Sequence, residues 1–154
     1  MAVLVALATA ATAATTRSDG TRAKTIASYC SSSGDVCFGI FDRDGRVLFK
    51  LATAARYFSR YTVCATQLPR GKNPEHAQRC GSFPLFRQSR STWGSSVDFA
   101  KQFVGPASHP STPLDGRYQV TWRQVCSDCT AKARRHSDGG RPLGPSLFFR
   151  LPLS

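Results

Sequence analysis

The chain has 154 residues, enough to bury one substantial core and too few for two domains of ordinary size. It carries 21 Lys and Arg against 9 Asp and Glu, for a formal net charge of +12. Such a field attracts polyanions, among them nucleic acid, anionic envelope polymers and acidic lipid, and salt weakens the attraction. An Arg-rich, Lys-poor composition also follows from GC-rich coding, so charge indicates a class of partner and says nothing of the fold.

The first sixteen residues contain no charged side chain and begin with a short apolar run. This run is too short for a bilayer span, which needs about 20 apolar residues, so no transmembrane segment is predicted. Small residues at Ala11 and Ala13 suit cleavage of a secretory signal. We therefore predict a signal peptide over 1–14, incomplete at its N-terminus because it lacks a basic region; the alternative is an Ala/Thr-rich disordered tail. Residues 15–28 are predicted to be a flexible lead-in to a domain over 29–154.

An even number of cysteines in a small domain indicates disulfides, which persist mainly in oxidising compartments. The cysteines are Cys30, Cys37, Cys64, Cys80, Cys126 and Cys129. Together with the signal-like start, they predict a secreted, extracellular protein. We favour Cys30 with Cys37 and Cys64 with Cys80, since each pairing closes a short segment beside a strand, although other connectivities are open.

The ordered part begins with a hairpin pattern. Apolar residues alternate on both sides of a turn at Asp42–Gly45, a hairpin signature; they are Val36, Phe38, Ile40, Val47, Phe49 and Leu51. Asp42 and Asp44 also resemble the opening of a calcium loop, but Thr53 stands where that loop needs its last acidic ligand. We therefore interpret these residues as a tight turn.

Three further strands are predicted in the middle of the chain. The stretch Tyr57–Thr66 alternates, with Tyr57, Tyr61, Val63 and Ala65 on one face and Arg60, Thr62 and Cys64 on the other. A polar loop over Gly71–Arg79 follows. The run Phe83–Phe86 is predicted to be an edge strand because Pro84 cannot donate to a ladder. Trp93, Val97 and Phe99 mark the next strand.

The C-terminal part contains the clearest strand. A Pro-rich connection over Gly105–Gly116 precedes it. Tyr118, Val120 and Trp122 then lie on one face, and Arg117, Gln119, Thr121 and Arg123 on the other. A final strand alternates at Leu147, Phe149 and Leu151. About seven short strands without an amphipathic helix predict an all-β, antiparallel sandwich.

The stretch Leu114–Tyr118 resembles the corner before the penultimate strand of immunoglobulin-like and fibronectin-like domains. The patterns at 116–122 and 143–149 are similar to those of small secreted actinobacterial proteins of unassigned function. These resemblances imply an immunoglobulin-like sandwich and export, and they imply no reaction. The chain departs from the antibody pattern at Val120, where an inter-sheet cysteine would stand.

Candidate chemistry is sparse. Cys126 and Cys129 have the spacing of a redox dithiol, but in a loop between strands a structural disulfide is favoured, and metal binding with His136 lacks a full ligand set. His76, His109 and His136 lie in loops without a nucleophile motif. We predict no catalytic residue, no metal and no cofactor, and we favour a function other than catalysis.

Two basic regions are candidate binding sites. The first is the polar stripe from Arg117 to Arg123, which Phe148 and Arg150 would extend if the last two strands pair; Arg interleaved with aromatics is typical of single-stranded nucleic-acid binding. The second is the loop 126–141, with Lys132, Arg134, Arg135 and Arg141. The alternatives are an ordinary solvated sheet face and a tolerated insertion.

We therefore predict a secreted basic binding module that associates with an anionic extracellular or envelope partner, with nucleic acid a candidate through charge alone. One alternative is a small secreted enzyme or a redox protein using Cys126 and Cys129. Another is a secreted inhibitor that places the loop Gly71–Arg79 in a partner's cleft.

Overall fold

The computed structural model describes residues 23–69, 78–104, 115–125 and 140–153. Within these ranges the chain forms nine strands and a single π-helical turn. The strands are β1 (Lys24–Cys30), β2 (Val36–Arg43), β3 (Arg46–Thr53), β4 (Arg60–Gln67), β5 (Gln78–Pro84), β6 (Phe86–Arg87), β7 (Trp93–Asp98), β8 (Gly116–Gln124) and β9 (Leu147–Leu151), and the turn is Ala100–Val104.

The strands form two antiparallel sheets that pack face to face. One sheet has five strands in the order β1-β2-β3-β7-β6, and the other has four in the order β5-β4-β8-β9. The inner faces of both sheets contribute to one buried core. The predicted all-β antiparallel sandwich is therefore confirmed, with nine strands in the described ranges where the sequence indicated about seven.

The strand order agrees with the immunoglobulin-like expectation. Strands β2, β3, β7 and β6 follow the order of the A, B, E and D strands of such a domain, and β9, β8 and β4 follow that of G, F and C. Strand β5 takes the place of the additional strand beside C, and β1 is an extra edge strand. Tyr118 lies near the start of β8, the position of the corner tyrosine, where it is buried.

Four sequence predictions were wrong in detail. Residues Lys24–Ser28 belong to β1 and not to a flexible lead-in, because pairing with β2 orders a segment with weak alternation of its own. Gln78 and Arg79 lie in β5 and not in a loop. The run Phe83–Phe86 is not one strand, because the chain crosses at Leu85 from β5 in one sheet to β6 in the other. Tyr57 precedes β4 and is half exposed.

The hairpin turn is confirmed. Asp44 and Gly45 both have positive φ values, 55° and 76°, as a two-residue type I′ turn requires. The Gly45 N–H donates a hydrogen bond to Oδ1 of Asp42 at 2.8 Å. The carboxylate of Asp42 thus stabilises the turn that joins β2 to β3.

The core is rich in aromatic rings. Phe49, fully buried on β3, has ring-centroid distances of 5.5–5.9 Å to four others, Phe99, Phe103, Trp122 and Phe149. Phe103 comes from the π-helical turn, which the sequence did not predict. The turn places this ring against the two sheets and so completes the core beside β5.

Both predicted disulfides within the described residues are confirmed. Cys30 pairs with Cys37 and links β1 to β2, and Cys64 pairs with Cys80 and links β4 to β5. Each bond joins residues that stand directly opposite each other in the ladder. The disulfides therefore fix one edge strand of each sheet to its neighbour. Cys126 and Cys129 lie outside the described residues.

Tyr61 on β4 gives the fold a dependence on alkaline pH. Burial raises the pKa of its hydroxyl from 10.0 to about 12. The side chain of Ser95, across the core, lowers this pKa by less than burial raises it. An unfolded chain releases this proton near the ordinary pKa, so between pH 10 and 12 the unfolded state binds fewer protons than the folded state. Stability should fall as the pH rises through this window, by about 2–3 kcal/mol at pH 12.

Urea unfolding at pH 9 and at pH 11.5 measures this dependence. Tyr61→Phe has no proton to release, so its stability should fall less than that of the wild type over the same interval. Equal falls for the two proteins would show that Tyr61 is not the group responsible.

Candidate anion-binding surface

The four-stranded sheet has an unusual charge composition. Its strands contain five arginines and neither Lys, Asp nor Glu. The arginines are Arg60, Arg79, Arg117, Arg123 and Arg150. Arg79 is held at the sheet edge, where its guanidinium donates a hydrogen bond to the Val104 carbonyl at 3.1 Å. The other four lie on the outer face, turned away from the core.

Strand periodicity puts these side chains outside. On β8, Tyr118, Val120 and Trp122 are buried against the core, and successive side chains of a strand point to opposite faces. Arg117 and Arg123 therefore project outward, as predicted from the sequence; Arg117 is exposed and Arg123 is half-buried.

Strand β9 extends this face as expected. Arg150 stands directly opposite Arg117, and Phe148 stands opposite Gln119. Phe148 is 40% exposed, and the guanidinium carbon of Arg117 lies 4.8 Å from the centre of its ring. We call the set Arg60, Arg117, Arg123, Arg150 and Phe148 the arginine face.

A groove of about 480 Å³ opens at the β9 end of the arginine face. Besides Arg117, Phe148 and Arg150, its walls include Gln67, Leu68, Pro69, Asp115, Gly116 and Phe149. Asp115 contributes a carboxylate, whose charge raises the pKa of Tyr118 after the larger effect of burial. The groove thus combines two cations with one anion and an aromatic ring.

The other end of the face is built around Arg60 and Arg123. Arg123 stands directly opposite Thr62 in the ladder, and Arg60 lies two residues before Thr62 on the same face of β4. The Arg60 guanidinium donates to the Ser82 carbonyl at 2.9 Å, which holds it against β5. Arg141 is brought to this end as well, because its carbonyl accepts a hydrogen bond from the Gln124 N–H at 2.8 Å.

The structure therefore brings together three of the six predicted binding residues at one sheet, namely Arg117, Arg123 and Arg141. Lys132, Arg134 and Arg135 lie outside the described residues, as do His76, His109, His136 and the residues 71–77 of the predicted inhibitor loop. The sequence prediction missed Arg60, because its place depends on β4 pairing with β8, which no local pattern indicates.

The outer face of the five-stranded sheet is different. Arg46 there forms an ion pair with Asp98, and the Lys50 ammonium lies 4.8 Å from the centre of the Phe41 ring. Three small residues of this face, Gly39, Ala52 and Gly94, lie in neighbouring strands. The strands of this sheet carry five Lys and Arg against two Asp, a net charge of +3, whereas those of the four-stranded sheet carry five Arg and no acidic residue, a net charge of +5.

The described residues hold no group of three or more His, Cys, Asp or Glu side chains that could bind a metal ion. No helix in the part of the chain that the structure describes has the length and apolar character needed to cross a membrane. No protein-family profile, curated protein or solved structure matches this chain significantly.

Proposed function

We propose that this protein is a secreted binding module that associates with an anionic polymer of the extracellular space or the cell envelope through the arginine face. The observation that carries the proposal is the placement of four arginines on one face of a sheet whose strands contain no acidic residue. The mechanism is electrostatic association, without a chemical step.

The pair Arg117 and Arg150 supports this function most strongly. Like charges directly opposite each other in a ladder destabilise a sheet, and these two side chains occupy such a position. A phosphate or carboxylate bound between them would remove that repulsion, and the planar guanidinium fork suits bidentate contacts with both groups.

Secretion is part of the same proposal. The signal-like start and the two disulfides support it, since disulfides persist mainly in oxidising compartments. In such a compartment the partner would be an exposed polymer that carries phosphate, carboxylate or sulfate groups.

The double variant Arg117→Ala/Arg150→Ala tests the proposal. On immobilised heparin and on polygalacturonate across a salt gradient, it should elute at lower salt than the wild type, with affinity lower by about tenfold. The slope of log affinity against log salt should decrease in magnitude by about two, because two cationic contacts are lost.

The matched control is Arg43→Ala/Arg90→Ala, which removes the same net charge from exposed positions outside the arginine face. It should elute close to the wild type. If the two double variants elute together, the attraction is a property of net charge alone and the arginine face is not a binding site.

A further inference from the structure

The arginine face has a defined length. Arg117 and Arg123 are six residues apart on β8, and a strand advances about 3.3 Å per residue, so the two ends lie about 20 Å apart. Arg150 stands beside the first and Arg60 is close to the second. Gln119 and Thr121, polar and uncharged, lie between them. Positive charge therefore sits at both ends of a polar track along β8.

The groove beside Phe148 is lined by groups of opposite charge. Its two guanidinium groups attract an anion, whereas the Asp115 carboxylate repels one and accepts hydrogen bonds from N–H donors. A polymer whose units carry only carboxylate or sulfate groups gains nothing from Asp115. A nucleotide has both an anionic phosphate and, on most bases, an amino group that a carboxylate can bind.

The exposed ring of Phe148 also favours a nucleotide as the ligand. Phe148 is exposed and already stacks with Arg117, and stacking of bases on aromatic rings and on Arg is the usual way in which single strands are held. The groove volume of about 480 Å³ lies in the range of small-molecule sites and can take one nucleotide.

We propose that the arginine face binds single-stranded nucleic acid, with the strand running along β8 and one nucleotide in the groove between Phe148, Asp115 and the Arg117–Arg150 pair. This inference rests on the proposed function and names its ligand. A duplex is a poorer ligand, because its base edges lie inside grooves that are read by a protruding helix or ribbon, whereas this face is a sheet surface.

The distance between the two ends predicts the length of the ligand. A stacked strand advances about 3.4 Å along its axis per nucleotide, so a track of about 20 Å corresponds to roughly six stacked nucleotides. Affinity should rise steeply up to this length, when both ends are engaged, and then increase only slowly.

Fluorescence anisotropy with labelled oligodeoxycytidines of two to twelve nucleotides measures this length dependence. Heparin and oligogalacturonate fragments of matched charge, and a duplex of matched length, serve as competitors. We expect the hexanucleotide to bind at least tenfold more tightly than the dinucleotide and than each competitor.

Two substitutions in the groove sharpen the test. Phe148→Ala should weaken binding of the hexanucleotide about fivefold or more, through loss of stacking, and Phe86→Ala, at an exposed position on the other sheet, should leave it unchanged. Asp115→Asn should weaken binding of oligodeoxycytidine and strengthen binding of heparin, because it replaces one of the two acceptor oxygens by an NH2 donor and removes the negative charge.

The outcomes separate the two proposals. If oligogalacturonate, heparin or the duplex binds as tightly as the single strand, or if Asp115→Asn strengthens binding of every ligand, the inference of a single-stranded ligand is overturned while the proposed function stands. If none of these polyanions binds, both are overturned.

Discussion

Phe49→Ala is expected to lower the free energy of unfolding by about 3–5 kcal/mol, the cost of removing a large aromatic side chain from a packed core. Phe49 is fully buried and lies against four other rings, which come from Phe99 directly after β7, from the π-helical turn, from β8 and from β9. The cavity would therefore loosen the contact between the two sheets. Urea unfolding of the oxidised protein at neutral pH gives the change directly.

Phe148→Ala is the matched control, since it makes the same substitution at a position that is 40% exposed. It should change the free energy of unfolding by less than about 1 kcal/mol. Comparable losses for the two variants would mean that Phe49 is not at the centre of the core, and the sandwich packing would have to be revised.

Replacement of the β4–β5 disulfide should have the next largest effect. The variant Cys64→Ala/Cys80→Ala removes a bond that spans 16 residues, and the loss of this constraint on the unfolded chain costs about 3 kcal/mol. Cys64 is also buried, so the edge strand β5 would be held by its ladder alone. Thermal unfolding of the variant measures the loss.

The corresponding variant Cys30→Ala/Cys37→Ala serves for comparison. Its bond spans 7 residues, and the smaller loop predicts a smaller loss, a little over 2 kcal/mol. A larger loss of stability here than for Cys64→Ala/Cys80→Ala would show that the bond between β1 and β2 stabilises the fold by more than the entropy of the loop that it closes.

Strand faces could be predicted because they depend on local periodicity. The alternation at 117–123 assigned Tyr118, Val120 and Trp122 to the core and the arginines to solvent, and the structure agrees. The tight turn at Asp42–Gly45 could also be predicted, because turn chemistry is a property of adjacent residues, and the structure then gave its type.

The arrangement of the strands could not be predicted in the same way. Pairing between β4 and β8 joins residues about sixty positions apart, and no local pattern encodes such a contact. For this reason Arg60 was assigned to a polar face but not to the candidate site. Strand β1 and the break between β5 and β6 were not predicted, because both depend on pairing with neighbouring strands and not on a local pattern.

Part of the candidate site could be predicted from the sequence. The sequence indicated the stripe on β8 and its conditional extension to Phe148 and Arg150, and the β8–β9 pairing met that condition. The groove beside Asp115 could not be predicted, because it forms only when Gln67 and Leu68 at the end of β4 lie beside the start of β8.

The most direct measurement of the binding surface is an NMR titration of the ¹⁵N-labelled protein with a short polyanion, in which the side-chain Nε–H signals of the arginines are followed. The arginine face predicts that the signals of Arg117, Arg123 and Arg150 shift together as the complex forms, while those of Arg43 and Arg46 on the other sheet stay in place. Shifts of equal size on both sheets, or confined to Arg43 and Arg46, would contradict a binding surface on the four-stranded sheet.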